Sequence, residues 1–268
     1  MKPIFARTRT DAWAQTVEHL LRQDEEYDFD IVLEIKNPLQ SNNAVSNAEA
    51  EVDSFLRAAN LAPLHTVAET IFPAWEYRAH GIDGVYKTYP EEIFPRLMRH
   101  NDFNWGTYAH RLLRGTDTKK NFNPLRKCVE KLKDEAGKLG PKRACFEIGL
   151  SVPSIDLPLY DANKDGAKRR GLPCLSHLSF KLAPGKRLLL TAMYRSHDYT
   201  QKALGNLLGL ARLQAFVAEQ AELEVGPLVC HSTYAWLDKG TGRGLKRIEE
   251  LISAVRQHEP PSSPTESK

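Results

Sequence analysis

Cys174 follows Pro173 and stands just ahead of an apolar strand, where a thiol can be held at the strand's start. A thiolate is a strong nucleophile when a nearby positive charge lowers its pKa. The candidate charge is Arg195, at the end of the second strand of the hairpin that follows. A short hairpin sets the start of its first strand beside the end of its second, which makes Cys174 and Arg195 neighbours. The plainer alternative is a buried, inert cysteine. Arg195 belongs to the run Tyr-Arg-Ser-His-Asp at 194–198, and its fork of donors suits a phosphate. Asp198, Lys202 and Asn206 follow at i, i+4 and i+8, the spacing of one helix face. Asn206 interrupts an apolar stretch, and its amide both donates and accepts, which suits a pyrimidine edge. The alternative for this run is a helix cap at Ser196 or Asp198 with an exposed Lys–Asp pair.

These residues need a frame. Residues 178–182 and 187–194 read as two strands joined by Ala-Pro-Gly-Lys at 183–186, a hairpin with a type II-like turn. Residues 199–222 read as a long helix, apolar on one side through Leu204, Leu208, Ala211, Ala215 and Ala218. Further strands are expected at 29–35, 143–148 and 227–234, and helices at 11–23, at 47–59 capped by Ser46 or Asn47, and at 239–257. Short helices are expected at 90–99 and 105–114, and a longer one from Pro124 to 136, closed by Gly137. Residues 115–123 and the basic run 164–171 read as loops.

Composition narrows the classes. At 268 residues the chain can bury a core without a metal or disulfide. The balance of 37 Lys and Arg against 34 Asp and Glu is too mild for a nucleic-acid polymer as partner. The 4 cysteines are scattered with no CxxC pair, which excludes a disulfide scaffold and a structural zinc pattern and fits a reducing, cytoplasmic setting. No stretch approaches the apolar length of a membrane span, and the first residues do not read as a secretory signal. Residues 1–257 read as one domain and 258–268 as a disordered Pro/Ser-rich tail.

Taken in register over residues 172–226, Leu-Pro-Cys-Leu-Ser-His-Leu-Ser-Phe at 172–180, Tyr-Arg-Ser-His-Asp at 194–198, Gly-Asn at 205–206 and Leu-Glu-Val-Gly at 223–226 resemble the thymidylate synthase family, which includes the pyrimidine nucleotide hydroxymethylases. The resemblance implies an α/β (α+β) fold, a large twisted mixed sheet with surrounding helices, and a homodimer packed sheet to sheet with shared active sites. It implies that Cys174 is the nucleophile that adds to C6 of the ring. Arg195 and Ser196 would bind the nucleotide phosphate, Asp198 would lie next to the pyrimidine, and Asn206 would read the base. Lys142 and Arg143 fall where the family has a pair of arginines reaching the phosphate across the dimer; a solvated turn is the alternative.

The implied reaction moves a one-carbon unit from 5,10-methylene-tetrahydrofolate to C5 of a pyrimidine mononucleotide, giving a methyl or hydroxymethyl product. Glu69 or Glu76 could supply the acid/base group it needs. A family member that binds a nucleotide without folate-dependent transfer is the alternative. Leu175 stands where the family has a histidine after the nucleophile, and His177 comes two residues later. Lys202 replaces a glycine. Direct spacing puts Trp236 and Asp238 at the family's sugar-binding His-x-Tyr, where Tyr234 could serve only with a shift.

Overall fold

Side-chain caps set where the first long helices begin. The computed structural model describes residues 2–99, 106–114, 122–150, 173–240 and 242–261. Strand β1 (Lys2–Ala6) leads to helix α1 (Arg9–Leu20), opened by Thr8, whose side chain accepts the Asp11 N–H. Strand β2 (Tyr27–Ile35) precedes α2 (Asn43–Ala58). Asn42 caps α2, so the expected caps Ser46 and Asn47 lie inside the helix. Short helices α3 (Leu64–Glu69) and α4 (Ala74–Asp83) run into a π-helical segment, Gly84–Ile93, then α5 (Phe94–Met98) and α6 (Tyr108–Arg114). Helix α7 (Pro124–Ala136) starts at the expected proline and ends at Gly137.

Strands β3 (Phe146–Gly149), β4 (Leu175–Ala183), β5 (Arg187–Tyr194) and the two-residue β6 (His197–Asp198) precede α8 (Ala203–Gln220). Strand β7 (Glu224–Trp236) and α9 (Leu245–His258) follow. The β4–β5 hairpin forms as the sequence reads, with Ala183 paired to Arg187 and both Gly185 and Lys186 at positive φ, 73° and 56°. The expected loop at 164–171, Leu172 of the family-like run, and residues 262–268 of the expected tail lie outside the described residues. Within that tail, Glu259 is buried, its carboxylate taking the hydroxyls of Thr8 and Thr10.

The strands form one mixed sheet in the order β1-β2-β7-β5-β4-β3, with β6 added beside β7. β5 and β7 are parallel and joined through α8; β4 is antiparallel to β5. Registration is continuous across six strands. Ala6, Ile35, Leu228, Leu190, Phe180 and Phe146 form one buried row. The neighbouring row, Phe5, Glu34, Val229, Thr191, Ser179 and Glu147, points to the opposite face, with Phe5 57% exposed. Helices α1, α7 and α8 pack on the sheet, whose buried rows supply the core. Helix α8 approaches α3 closely because Gly205 and Gly209 lack side chains. A Cβ at Gly205 would lie 2.6 Å from Val67 Cβ, and one at Gly209 would lie 2.8 Å from the Ala68 carbonyl oxygen.

Candidate active site at the sheet end

The parallel pair β5–β7 and the antiparallel β4 bring the ends of β5 and β7 beside the start of β4. The Arg195 N–H donates to Cys174 O at 3.0 Å, extending the β4–β5 ladder beyond the Leu175–Tyr194 pair. Arg195 also donates through Nε to Pro173 O at 2.9 Å, which turns the guanidinium back toward the peptide carrying the thiol. From α6, Tyr108 Oη accepts the N–H groups of Cys174 and Leu175 at 2.8 and 3.2 Å. Cys174 is half-buried. Burial pushes its thiol up, the Arg195 charge pulls it down, and Asp198 adds to the rise. Cys128 and Cys230 are buried and burial pushes each up to about 12, whereas Cys145 is exposed.

Asp198 ends β6, paired with Trp236 of β7. Its Oδ1 accepts the N–H groups of Thr200 and Gln201 at 2.9 and 3.1 Å. Burial nevertheless pushes its carboxyl up to about 6, those two bonds and Lys202 opposing, Asp238 adding. The i, i+4, i+8 spacing holds in the backbone: Lys202 N–H donates to Asp198 O at 3.1 Å, and Asn206 N–H to Lys202 O at 2.8 Å. The helix proper starts only at Ala203, so Asp198 lies on the strand and Asn206 in the first turn.

Behind Asn206 lies a buried polar chain whose role is not legible in the sequence. Asn206 Nδ2 is 3.1 Å from His197 Nε2, and His197 Nδ1 is 2.9 Å from Ser232 Oγ. Ser232 Oγ is in turn 3.1 Å from Tyr199 Oη. The His197 ring stacks on Tyr194 with centroids 4.0 Å apart and planes at 3°. Burial lowers the His197 pKa to about 3, so the ring is neutral. Ser232 and Tyr108 are distant in sequence from the motif, and no local pattern marks them. Ser196 Oγ accepts the indole N–H of Trp236 at 3.2 Å, and Asp238 takes Gln201 and Arg243 side chains. Trp236 and Asp238, the residues at the direct sugar-site spacing, therefore border this cluster.

The remaining predicted residues make contacts of their own. Tyr234 packs against Tyr27 and Phe29, with centroids 5.4 and 5.6 Å away. His177 shares a bond with Glu147 at 2.7 Å, and Ser179 and Lys181 share the same carboxylate. Glu69 receives Arg212 of α8 at 3.3 Å and the Trp75 N–H at 3.3 Å, and burial pushes its carboxyl up. Glu76 faces His80 one helical turn on, at 3.8 Å. Arg143 donates to Leu182 O at 2.9 Å and the Lys142 N–H to Glu135 at 2.6 Å. Leu182 lies eight residues along β4 from Cys174, about 25 Å away at strand rise. Within one chain, then, Lys142 and Arg143 stand at the opposite end of the sheet.

No described helix is long and apolar enough to cross a membrane. No family model matches the chain. It is 41% identical over 93 residues to a protein of Methanothermobacter thermautotrophicus named "Putative thymidylate synthase", a stretch covering 35% of this chain and 40% of that protein. A protein of the same name from Methanothermobacter marburgensis is 41% identical over 64 residues, covering 24% of this chain and 28% of the relative. The matched stretches thus span less than half of either relative. Over these stretches the chain is similar to proteins named "Putative thymidylate synthase", and its own architecture is a mixed seven-stranded sheet flanked by helices.

Proposed function

We propose that the chain is a transferase that adds a one-carbon unit to C5 of a pyrimidine mononucleotide, with a methyl or hydroxymethyl product, through a covalent adduct of Cys174. The observation that carries this is the tie between Arg195 and the Cys174 peptide at the sheet end, with Asp198 and Asn206 in register beside it. The Cys174 thiolate would add to C6, forming the S–C6 bond and moving the C5=C6 pair onto C5 and O4. An N–H of Asn206 facing that edge would stabilise the charge, as a fixed donor does at a developing oxyanion. Once the C5 electron pair has formed its bond to the incoming one-carbon unit, loss of the C5 proton and expulsion of the thiolate restore the double bond. Glu69, Glu76 and Asp198 are the carboxyls proposed for the proton steps; burial holds Asp198 in the range where a carboxyl can both give and take a proton near neutrality.

The half-buried thiol, the guanidinium and the buried amide fit the nucleotide. The folate 5,10-methylene-tetrahydrofolate would supply carbon at the formaldehyde level, with a hydride for a methyl product or water finishing a hydroxymethyl one. The described residues assign no folate contacts. A second copy of the chain, packed on the outward sheet face, would bring Lys142 and Arg143 to its partner's phosphate.

The test is tritium release from [5-³H]dUMP, dCMP, UMP or CMP with methylene-tetrahydrofolate. Release that is lost in Cys174→Ala supports the transferase. Nucleotide binding without release assigns the chain to the binding-only reading, which the burial-raised thiol favours. Neither binding nor release overturns both.

A further inference from the structure

The chain His197, Ser232 and Tyr199 has no part in the chemistry just described, yet it is buried and fully engaged. An amide nitrogen can only donate, so with Asn206 Nδ2 placed 3.1 Å from His197 Nε2 the two are bonded in the tautomer whose Nε2 carries its lone pair. The single proton of the neutral ring then sits on Nδ1 and is given to Ser232 Oγ at 2.9 Å. Stacking on Tyr194 holds the ring plane. What remains of the Asn206 amide is one N–H and Oδ1, which accepts no bond from the described residues.

The C4–N3 edges of the two pyrimidines are opposites. Uracil presents an acceptor at C4 and a donor at N3; cytosine presents a donor at C4 and an acceptor at N3. A freely turning amide pairs with either by a half-rotation about Cβ–Cγ. At Asn206 that rotation would set Oδ1 against the His197 lone pair unless the ring proton moved to Nε2 and the Ser232 and Tyr199 hydroxyls turned with it, so the amide can turn only together with the whole buried chain. We propose that His197 is a positioning residue that fixes the orientation of the Asn206 amide and thereby sets whether the site takes a uracil or a cytosine nucleotide. This rests on the reading of Asn206 as the base-contacting residue. Which base is favoured reports which end of the amide faces C4.

The experiment is calorimetric binding of dUMP, dCMP, UMP and CMP to the wild type and to His197→Phe, which keeps an aromatic ring on Tyr194 but removes both nitrogens. The wild type should separate uracil from cytosine nucleotides of the same sugar by about tenfold or more, a ratio expected when a fixed polar group is left unpaired by the wrong partner. In the variant the ratio should fall to within about threefold, while affinity for inorganic phosphate is unchanged. A merely structural role would lower both affinities together and leave the ratio. An unchanged ratio in the variant, or a wild type that binds both bases equally, overturns the inference and leaves the nucleotide reading standing. If the folded wild type binds none of the four, the nucleotide reading falls and this inference with it. Imidazole ¹⁵N shifts of the wild type give a measurement independent of the variant's folding: a proton on Nδ1 and none on Nε2 supports the arrangement, and the reverse overturns it.

Discussion

The N–H of Arg195 donates to the carbonyl of Cys174 at 3.0 Å, so the guanidinium and the thiol are carried on two strand ends tied by one backbone bond. Their electrostatic coupling is therefore built into the sheet rather than into a loop. Arg195→Met should leave the ladder intact and remove the charge that lowers the thiol. The Cys174 thiol would then rise further, and its alkylation by iodoacetamide at pH 8 should slow by about tenfold for each unit of rise. Peptide mass spectrometry reads this against exposed Cys145, whose rate should not change. Equal slowing at both cysteines would argue against the coupling.

Asp198 should make stability depend on pH in the less usual direction for a carboxyl. Unfolded, it loses its proton near pH 3.9; folded, it holds it to about 6. Its contribution is full below pH 4 and is lost as pH rises to 6 and beyond, because the unfolded chain ionises it more easily. Asp198→Asn keeps an oxygen for the Thr200 and Gln201 N–H groups and removes the ionisation. Relative to wild type, the variant should gain roughly 1–3 kcal/mol between pH 4 and pH 7 in urea denaturation. A flat difference across that range would place the carboxyl in its ordinary range.

Gly205→Ala would drive a Cβ to 2.6 Å from Val67 Cβ and 3.0 Å from the Leu64 carbonyl oxygen. α3 would have to withdraw from the first turn of α8, at a cost of about 1–3 kcal/mol. Thermal unfolding should fall by roughly 2–10 °C. Because Asn206 is the next residue, nucleotide affinity should fall as well, and a variant of unchanged Tm would show that the two helices have room to spare.

The outward sheet row invites a second copy of the chain. Sedimentation should give twice the 30.3 kDa protomer mass, and Thr191→Arg, at the middle of that row, should give the protomer alone. Mixing Cys174→Ala with Arg143→Ala should restore tritium release that each lacks, up to about a quarter of wild type from random pairing, if Arg143 serves the partner's site. A monomeric wild type would rule out that arrangement.

The hairpin was legible in the sequence because the signal is local: Pro184 and Gly185 make the turn, and the alternation on either side fixes the register. The motif from Tyr194 to Asn206 kept its order and spacing in three dimensions for the same reason. Strand β1 was not legible, since five residues with a proline carry little strand signal and pair only with β2. The roles of Ser232 and Tyr108 were hidden, because they join the site only through contacts distant in sequence. His177 looked like a replacement for a missing histidine, but the pleat carries it to the row shared with Met193 and on to Glu147.

The neutral ring behind Asn206 has a consequence for any pH profile of this protein. A break near pH 6 is habitually assigned to an imidazole. Here the histidine at the site is silent down to about 3, while Asp198 titrates at about 6. Such a break would belong to a carboxyl, and it should barely move when the profile is repeated at a higher temperature, whereas an imidazole's would drift.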